Sequence, residues 1–324
     1  MQRALRAAPV AVGANAHNWN DGRSTRHTRT ASEAIVVIAL LCKGIPVATF
    51  RWAEGANGVL GGDWVITTAW GAATDVGRRR AVNEDGYLCT NGWFVVADGM
   101  GGHAGGRLAS TTALETLAGA ASRPAGDASA SDVTDAVVAA NSAVVAQAER
   151  DPSCRGMGTT VSGLVEVHAA GQPHWMVFNV GDSRVYALME GRLVQLTVDH
   201  SEVQELLAAG RIAPGEERSH ERRHVVTRVL GTPSGVKVDS WLFPPSASER
   251  FLVCSDGLTG ELDDGRIAEL LASAADPAIV AQRLVDAAVE AGGSDNVTVV
   301  VVDGPTASAV AERTQPRGEL EQHA

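Results

Sequence analysis

Five aspartates stand at the edges of apolar runs, each with glycine beside it or close by, and this is the feature of the 324-residue chain that points most directly to chemistry. Asn91-Gly92 is a two-residue hairpin signal between the strand-like runs Tyr87–Thr90 and Trp93–Ala97. In such a hairpin, residues pair when their numbers sum to 183, so Asp85 and Asp98 face each other at its open end. Like charges directly opposite are destabilising, and such a pair calls for a cation or a shifted pKa. Asp256 follows the run Phe251–Cys254, and Asp295 precedes the run Val297–Val302. If those runs are antiparallel strands, both aspartates lie at one sheet edge. Asp182 occupies a turn, Gly181-Asp182-Ser183-Arg184, between two further runs. Hard oxygen ligands without paired His or Cys suit Mg²⁺ or Mn²⁺ rather than zinc. Several carboxylates can hold two such ions and a bridging water, which is a nucleophile for in-line displacement at phosphorus. The competing reading is that Asp-Gly pairs are ordinary turn residues. It suffices for one site and less well for five.

The elements that must position these residues begin near Asp63. Trp64–Trp70 is β-rich, and Leu108–Ala121 and Val133–Ala148 read as helices, the second with Ser131 or Asp132 as its N-cap. Strands are expected at Thr159–Val167, Trp175–Val180, Arg184–Leu188, Lys237–Leu242, Phe251–Cys254 and Val297–Val302. Ser201 with Gln204 opens a short helix that Gly210 can close, and 211–224 is charged and irregular. Asp276-Pro277 starts a helix in which Ile279, Leu284, Val285 and Ala288 share a face and which Gly292 ends. Hairpins dominate, so the sheets should be largely antiparallel. Runs such as Val297–Val302 need burial on both faces. Two sheets packed together with helices outside would provide it.

Composition narrows the function classes. The chain is 45% hydrophobic, enough to bury a core, and its net charge of −11 is a poor match for a general nucleic-acid binder. Residues 1–62 hold seven Arg or Lys against three Asp or Glu, a net of +4, which leaves −15 for the remainder. Cys42, Cys89, Cys154 and Cys254 form no CxxC pair, which argues against a cysteine zinc site or a disulfide framework and for a reducing, cytoplasmic setting. No apolar run approaches the roughly 20 residues of a membrane helix. Ala34–Cys42 follows Arg23, Arg26 and Arg29, but Lys43 breaks it and no small-residue cleavage site follows. Residues 1–62 therefore read as a poorly ordered extension or a mis-called start, and 305–324 as a disordered tail.

Residues 63–304 resemble the metal-dependent type 2C protein serine/threonine phosphatases in their bacterial form. The resemblance is carried by Arg80-Ala-Val-Asn-Glu-Asp85, Val96-Ala-Asp-Gly-Met-Gly-Gly-His103, Met157-Gly-Thr-Thr160, Gly181-Asp-Ser-Arg184, Asp199-His-Ser201, Ser255-Asp-Gly-Leu258 and Gly292-Gly-Ser-Asp-Asn296. Each is short and weak alone; in this order they are specific. The resemblance implies an α+β fold, a central β-sandwich of two largely antiparallel sheets flanked by helices in four layers, with a two-metal site at one end.

Carried over position by position, the resemblance has Asp98 bridging two Mn²⁺ or Mg²⁺ ions and the Gly99 carbonyl ligating one of them. Asp256 and Asp295 complete the other, and Asp85 ligates directly or through water with Glu84 as its neighbour. Asp182 matches a position that, with that of Asp256, can hold a third, weaker metal. Arg80 matches the phosphate-binding arginine; alternatively Arg78, Arg79 and Arg80 are one solvated charge run. His103 matches the histidine proposed to protonate the leaving alkoxide; amid glycines it could equally be a hydrogen-bonding support. His200 and His224 read as structural or surface residues. Residues 201–224 match a flap in which charges including Arg222 and Arg223 help choose substrates, unless it is simply a solvated loop.

Cys89 and Cys254 lie within apolar strands, and no Cys-x5-Arg loop surrounds Cys154, so no cysteine is expected as nucleophile. The expected substrates are phosphorylated Ser/Thr proteins, among them Ser/Thr kinases, acted on by a monomer without membrane anchor. The alternatives are a regulatory phosphoprotein-binding module of the same fold, and a phosphatase of one dedicated regulator.

Overall fold

The computed structural model describes residues 68–101, 105–245 and 249–304. The expected extension, the expected tail and His103 lie outside them. The described chain opens with strands β1 (Ala69–Asp75), β2 (Gly86–Thr90), β3 (Trp93–Ala97) and the two-residue β4 (Gly99–Met100). Helices α1 (Gly105–Ala120) and α2 (Ala130–Arg150) follow. Next come β5 (Gly158–Thr159), β6 (Val161–Ala169), β7 (Gln172–Val180), β8 (Arg184–Met189) and β9 (Arg192–Gln195). The short helix α3 (Glu202–Ala208) leads to β10 (Asp239–Phe243) and β11 (Arg250–Cys254). Helices α4 (Asp256–Glu261), α5 (Asp264–Leu271) and α6 (Pro277–Ala291) precede the last strand, β12 (Val297–Asp303).

Two five-stranded sheets form, in the orders β1-β12-β11-β8-β9 and β10-β7-β6-β3-β2, with every pairing antiparallel. Phe94, Leu164, Trp175 and Val177 of the second sheet meet Val185, Phe251, Val300 and Val302 of the first in the layer between them. Helices α1 and α2 cover the outer face of the second sheet, and α4, α5 and α6 that of the first. The expected four-layer α+β sandwich is therefore present. β12 shows why its sequence is continuously apolar. Val300 and Val302 point between the sheets, while Val297, Val299 and Val301 point at the helices, and all five have no exposed surface. Each such burial is worth about 1.5–3 kcal/mol.

Several local expectations need correction. The first described strand is Ala69–Asp75, extending well beyond the expected Trp70. Its middle, Gly-Ala-Ala, is too small to read as a strand because it runs under α6: a Cβ on Gly71 would lie 2.2 Å from the Ala278 Cα. The N-cap of α2 is Ser129, earlier than expected, and Asp132 is the return half of a capping box with it. Ile279 is 47% exposed; the buried face of α6 is Val280, Ala281, Leu284, Val285 and Ala288. Leu284, Val285 and Ala288 are buried as expected, and Val280 takes the place of Ile279 at the start of that face. Helices α4 and α5 were hidden by Asp256-Gly257 and Asp264-Gly265, which read as turns. The hairpin register matches the expectation: Gly86 pairs with Ala97 and Tyr87 with Val96.

Candidate metal centre

The last pair of the β2–β3 hairpin is Gly86 with Ala97, so Asp85 and Asp98 sit just past its open end. Asp98 is locked by its backbone: its carbonyl accepts from the Thr159 hydroxyl at 2.8 Å and the Thr160 N–H at 2.9 Å, and its N–H donates to Thr160 Oγ1 at 3.1 Å. Gly99 pairs with Thr159, and a Cβ there would fall 2.1 Å from the Gly106 carbonyl oxygen. β11 and β12 are antiparallel, with Cys254 opposite Val299, so Asp256 and Asp295 emerge at one edge as expected. Gly257 lets the turn into α4 lie against β12, since a Cβ would be 1.9 Å from the Asn296 carbonyl oxygen. Asp182 is carried by the β7–β8 turn, which Asn179 ties down through a 3.0 Å bond to the Gly181 carbonyl. Arg184, at the end of that turn, grips Asp199 with Nε and Nη2.

These elements converge on one cleft of 530 Å³ whose walls include Arg80, Glu84, Asp98, Gly99, Asp182, Asp256 and Asp295. The carboxyls in it are held away from their ordinary ionisation. Burial first, then the charges of Asp85, Asp256, Asp182 and Asp295, push Asp98 well above the usual range. Burial, with Asp256 and Asp199 adding to it, pushes Asp182 up to about 8. Burial and the Asp295 charge raise Asp256, partly offset by the neighbouring Asp98 carboxyl. Asp85 is pushed up to about 7 by burial, against the pull of bonds from Ser255 and Thr298.

The donor set fits divalent cations. Glu84 Oε1 and Asp85 Oδ1 are buried with no hydrogen-bond partner, and buried carboxylate oxygens rarely stay so without an ion to face. Mutual repulsion among four or five carboxyls is what a hard divalent ion relieves. Among the described residues, no three Asp, Glu, His or Cys side chains are already drawn into a cage around one point. Instead they satisfy one another: Arg80 Nη2 donates to Asp295 Oδ2 at 2.6 Å, and the Ser255 hydroxyl to Asp85 Oδ2 at 2.8 Å.

Most expected residues thus come together, with three differences. Glu84, expected only as a neighbour, faces the cleft, whereas Asp85 is tucked behind it against Ser255. Arg222 turns away from the cleft and pairs with Glu202, while Arg223 lines it. His224, set aside in the sequence, also lines the cleft and draws the Asp256 carboxyl down. Its signal would have been adjacency to Arg223 on the flap. Sequence reasoning also passed over Asn296 as a tether. It accepts from the Glu84 N–H at 2.9 Å and donates to the carbonyls of Val76 and Val82 at 2.9 and 3.0 Å. The loop carrying Arg80 and Glu84 is thereby fastened to the residue after Asp295. Cys254 and Cys89 are pushed up to about 12 by burial, as packing thiols should be.

Comparison with known proteins shows the family and agrees with the fold. A family model described as protein phosphatase 2C matches residues 78–287. The serine/threonine protein phosphatase PstP of Mycobacterium tuberculosis is 41% identical over 239 residues, which are 74% of this chain. The chain spans only 45% of that protein's length. The serine/threonine phosphatase stp of Listeria monocytogenes is 36% identical over 239 residues, 71% of this chain and 93% of that one. The crystal structure of the M. tuberculosis phosphatase PstP/Ppp superposes with a TM-score of 0.69 at 38% identity, covering 74% of this chain and all of that one. The catalytic domain of PstP in complex with two manganese ions gives a TM-score of 0.66 at 37% identity, with the same coverage.

Proposed function

The chain belongs to the protein phosphatase 2C family, and from that premise we propose that it hydrolyses phosphoserine and phosphothreonine in proteins with a metal-activated water. The observation that carries this reading is the convergence of Glu84, Asp98, Asp182, Asp256 and Asp295 on one cleft, where Arg80 is paired with Asp295 alone. Two Mn²⁺ or Mg²⁺ ions, when bound, supply charge compensation and a water acidic enough to attack phosphorus near neutral pH. Asp98 is the residue central enough to be shared between them. The Gly99 carbonyl and Glu84 serve one side, Asp256 and Asp295 the other. Asp85 would ligate directly or through water beside Glu84, and Asp182 with Asp256 would hold a third, weaker ion. Arg80 offers the phosphate its remaining N–H groups in a planar fork. His103 gives the leaving alkoxide its proton. No covalent intermediate is needed: among the described residues Cys154 and Cys254 are buried, and burial pushes the thiols of Cys89 and Cys254 up to about 12.

The substrates on this reading are phosphorylated proteins, Ser/Thr kinases among them, and the enzyme acts as a cytoplasmic monomer. Residues 63–304 form the catalytic domain, and 1–62 are dispensable for turnover. The test is hydrolysis of p-nitrophenyl phosphate and a phosphothreonine peptide, with Mn²⁺ or with EDTA, by the native chain and by Asp256→Asn. Turnover of both substrates in Mn²⁺ is expected, nearly abolished by EDTA and by the substitution. Equal activity in EDTA would overturn the two-metal reading.

A further inference from the structure

Asp98 follows β3, and Asp182 sits in the turn by which the chain leaves β7 for β8 and passes from one sheet to the other. Both line the cleft and, as like charges, push each other apart. Between their carriers lies a pair of buried hydroxyls. Thr160, just after β5 and 1% exposed, takes Asp98 at two points. Its N–H donates to the Asp98 carbonyl at 2.9 Å, and its Oγ1 accepts from the Asp98 N–H at 3.1 Å. The same Oγ1 lies 2.7 Å from Oγ of Ser183, the fully buried residue after Asp182. Gly181, the residue before Asp182, packs on Thr160 as well: a Cβ there would be 2.5 Å from the Thr160 Cβ and 2.6 Å from its methyl carbon. One side chain thus meets the backbone of Asp98 and both neighbours of Asp182.

The turn has other tethers that keep its own shape. Asn179 and His200 hold the Gly181 carbonyl at 3.0 and 2.9 Å, and His200 Nδ1 accepts from the Gly181 N–H at 3.0 Å. Ser162 Oγ donates to the Ser183 carbonyl at 2.9 Å. The Thr160–Ser183 contact does something different: it joins the turn to the residue that grips Asp98. Hydroxyls suit this place. Paired and buried, they add no charge to a cleft already crowded with carboxyls, yet they restrain positions that mutual repulsion would spread. Resting on the phosphatase reading, we propose that Thr160 is a positioning residue of the metal centre: its hydroxyl fixes the Asp182 turn relative to Asp98, and with it the affinity of the weaker ion that Asp182 and Asp256 would hold. Partners that orient a metal ligand from behind are worth about 10–100-fold in metal affinity.

The probe is Mn²⁺ alone, titrated into the full chain while the free ion is followed by electron paramagnetic resonance, which counts bound ions without asking for turnover. Thr160→Val keeps the side-chain shape and removes the oxygen, Thr160→Ser keeps the oxygen, and Ser183→Ala removes the other end of the contact. Ser183→Ala should weaken the last-bound Mn²⁺ about tenfold and leave the tighter ions unchanged. Thr160→Val should weaken that ion at least as much, and adding Ser183→Ala to it should cost nothing more, since the contact is already gone. Thr160→Ser should bind it within about twofold of the native chain. In an Asp182→Asn chain, Ser183→Ala should change nothing further. Native affinity for the last ion in Ser183→Ala, additive losses in the double variant, or equal losses in Thr160→Ser and Thr160→Val would overturn the proposal. If Thr160→Val shows no cooperative urea transition, Ser183→Ala in the native and Asp182→Asn chains decides the matter. A native chain that turns over p-nitrophenyl phosphate with two bound Mn²⁺ and no third would sink the positioning role and leave the phosphatase reading standing. A native chain that binds no Mn²⁺ would overturn both.

Discussion

Asn296 accepts a 2.9 Å hydrogen bond from the backbone N–H of Glu84 across 212 positions of sequence. With its two bonds to the Val76 and Val82 carbonyls, it makes one 5%-exposed side chain the fastening of the whole loop that presents Arg80 and Glu84. Asn296→Ala leaves one N–H and two carbonyls unpaired and should cost about 2–3 kcal/mol in urea unfolding. It should also weaken Mn²⁺ binding in titration. Asn296→Asp restores the acceptor but neither donor, so it should not rescue either quantity.

Gly257 is expected to tolerate no side chain. A methyl group there would lie 1.9 Å from the Asn296 carbonyl oxygen, which is backbone and cannot swing aside. Gly257→Ala should lower the melting temperature and abolish turnover, because the displaced segment carries both Asp256 and Asp295. Gly260→Ala, three residues on and with open space at its Cβ, should leave melting unchanged.

His200 sets an acid limit to stability. Its Nδ1 accepts from the Gly181 N–H at 3.0 Å, so the neutral ring carries its proton on Nε2, facing Asp239 at 3.1 Å and Arg228 at 2.8 Å. Burial, with Arg228 reinforcing it against Asp239, holds its pKa below the ordinary 6.5. The unfolded chain takes up the proton first, so this contribution is complete above about pH 6.5 and is lost as pH falls through the lower folded value. The urea midpoint of the native chain should drop between pH 7 and 5 by more than that of His200→Gln. Parallel slopes would show that His200 contributes nothing to the acid limb.

Arg218 holds the flap to α4 by two carbonyls. Arg218→Ala should leave the global melting temperature within about 2 °C, because the site is peripheral to the core. Cleavage between Arg211 and Arg223 by trypsin should become several-fold faster. Unchanged cleavage would mean that the α3 and Val225–Thr227 ends hold the flap without help.

The carboxylate frame was legible in the chain because short-range rules fix it. A two-residue Asn91-Gly92 turn admits one register, and that register decides where Asp85 and Asp98 go. Which of Glu84 and Asp85 faces the cleft was not legible. Residues 76–85 form no strand or helix of their own, and their path depends on Asn296, more than 200 residues away. The same holds for Arg222 and Arg223: an irregular loop has no period from which to read a facing, and the Glu202 pairing that decides it is itself tertiary. β1 was obscured for a packing reason, since Gly71 and Ala73 are small on the face that meets α6, and the strand so lacks a β-branched signature.

The pairing of β12 with both β1 and β11 has a consequence for synthesis. The strand completed last is hydrogen-bonded between the first strand and the eleventh, so the first sheet stays open until residue 303 has been made. A nascent chain that stops short of it has the β2–β3 hairpin that sets Asp85 and Asp98 but lacks the β11–β12 pairing that fixes Asp256 and Asp295 at one edge, and the β1–β12 pairing, of long sequence separation, forms slowly. On the phosphatase reading, turnover should begin only once β12 has been made and paired. A chain truncated before Asn296 should show no turnover at all rather than a reduced rate.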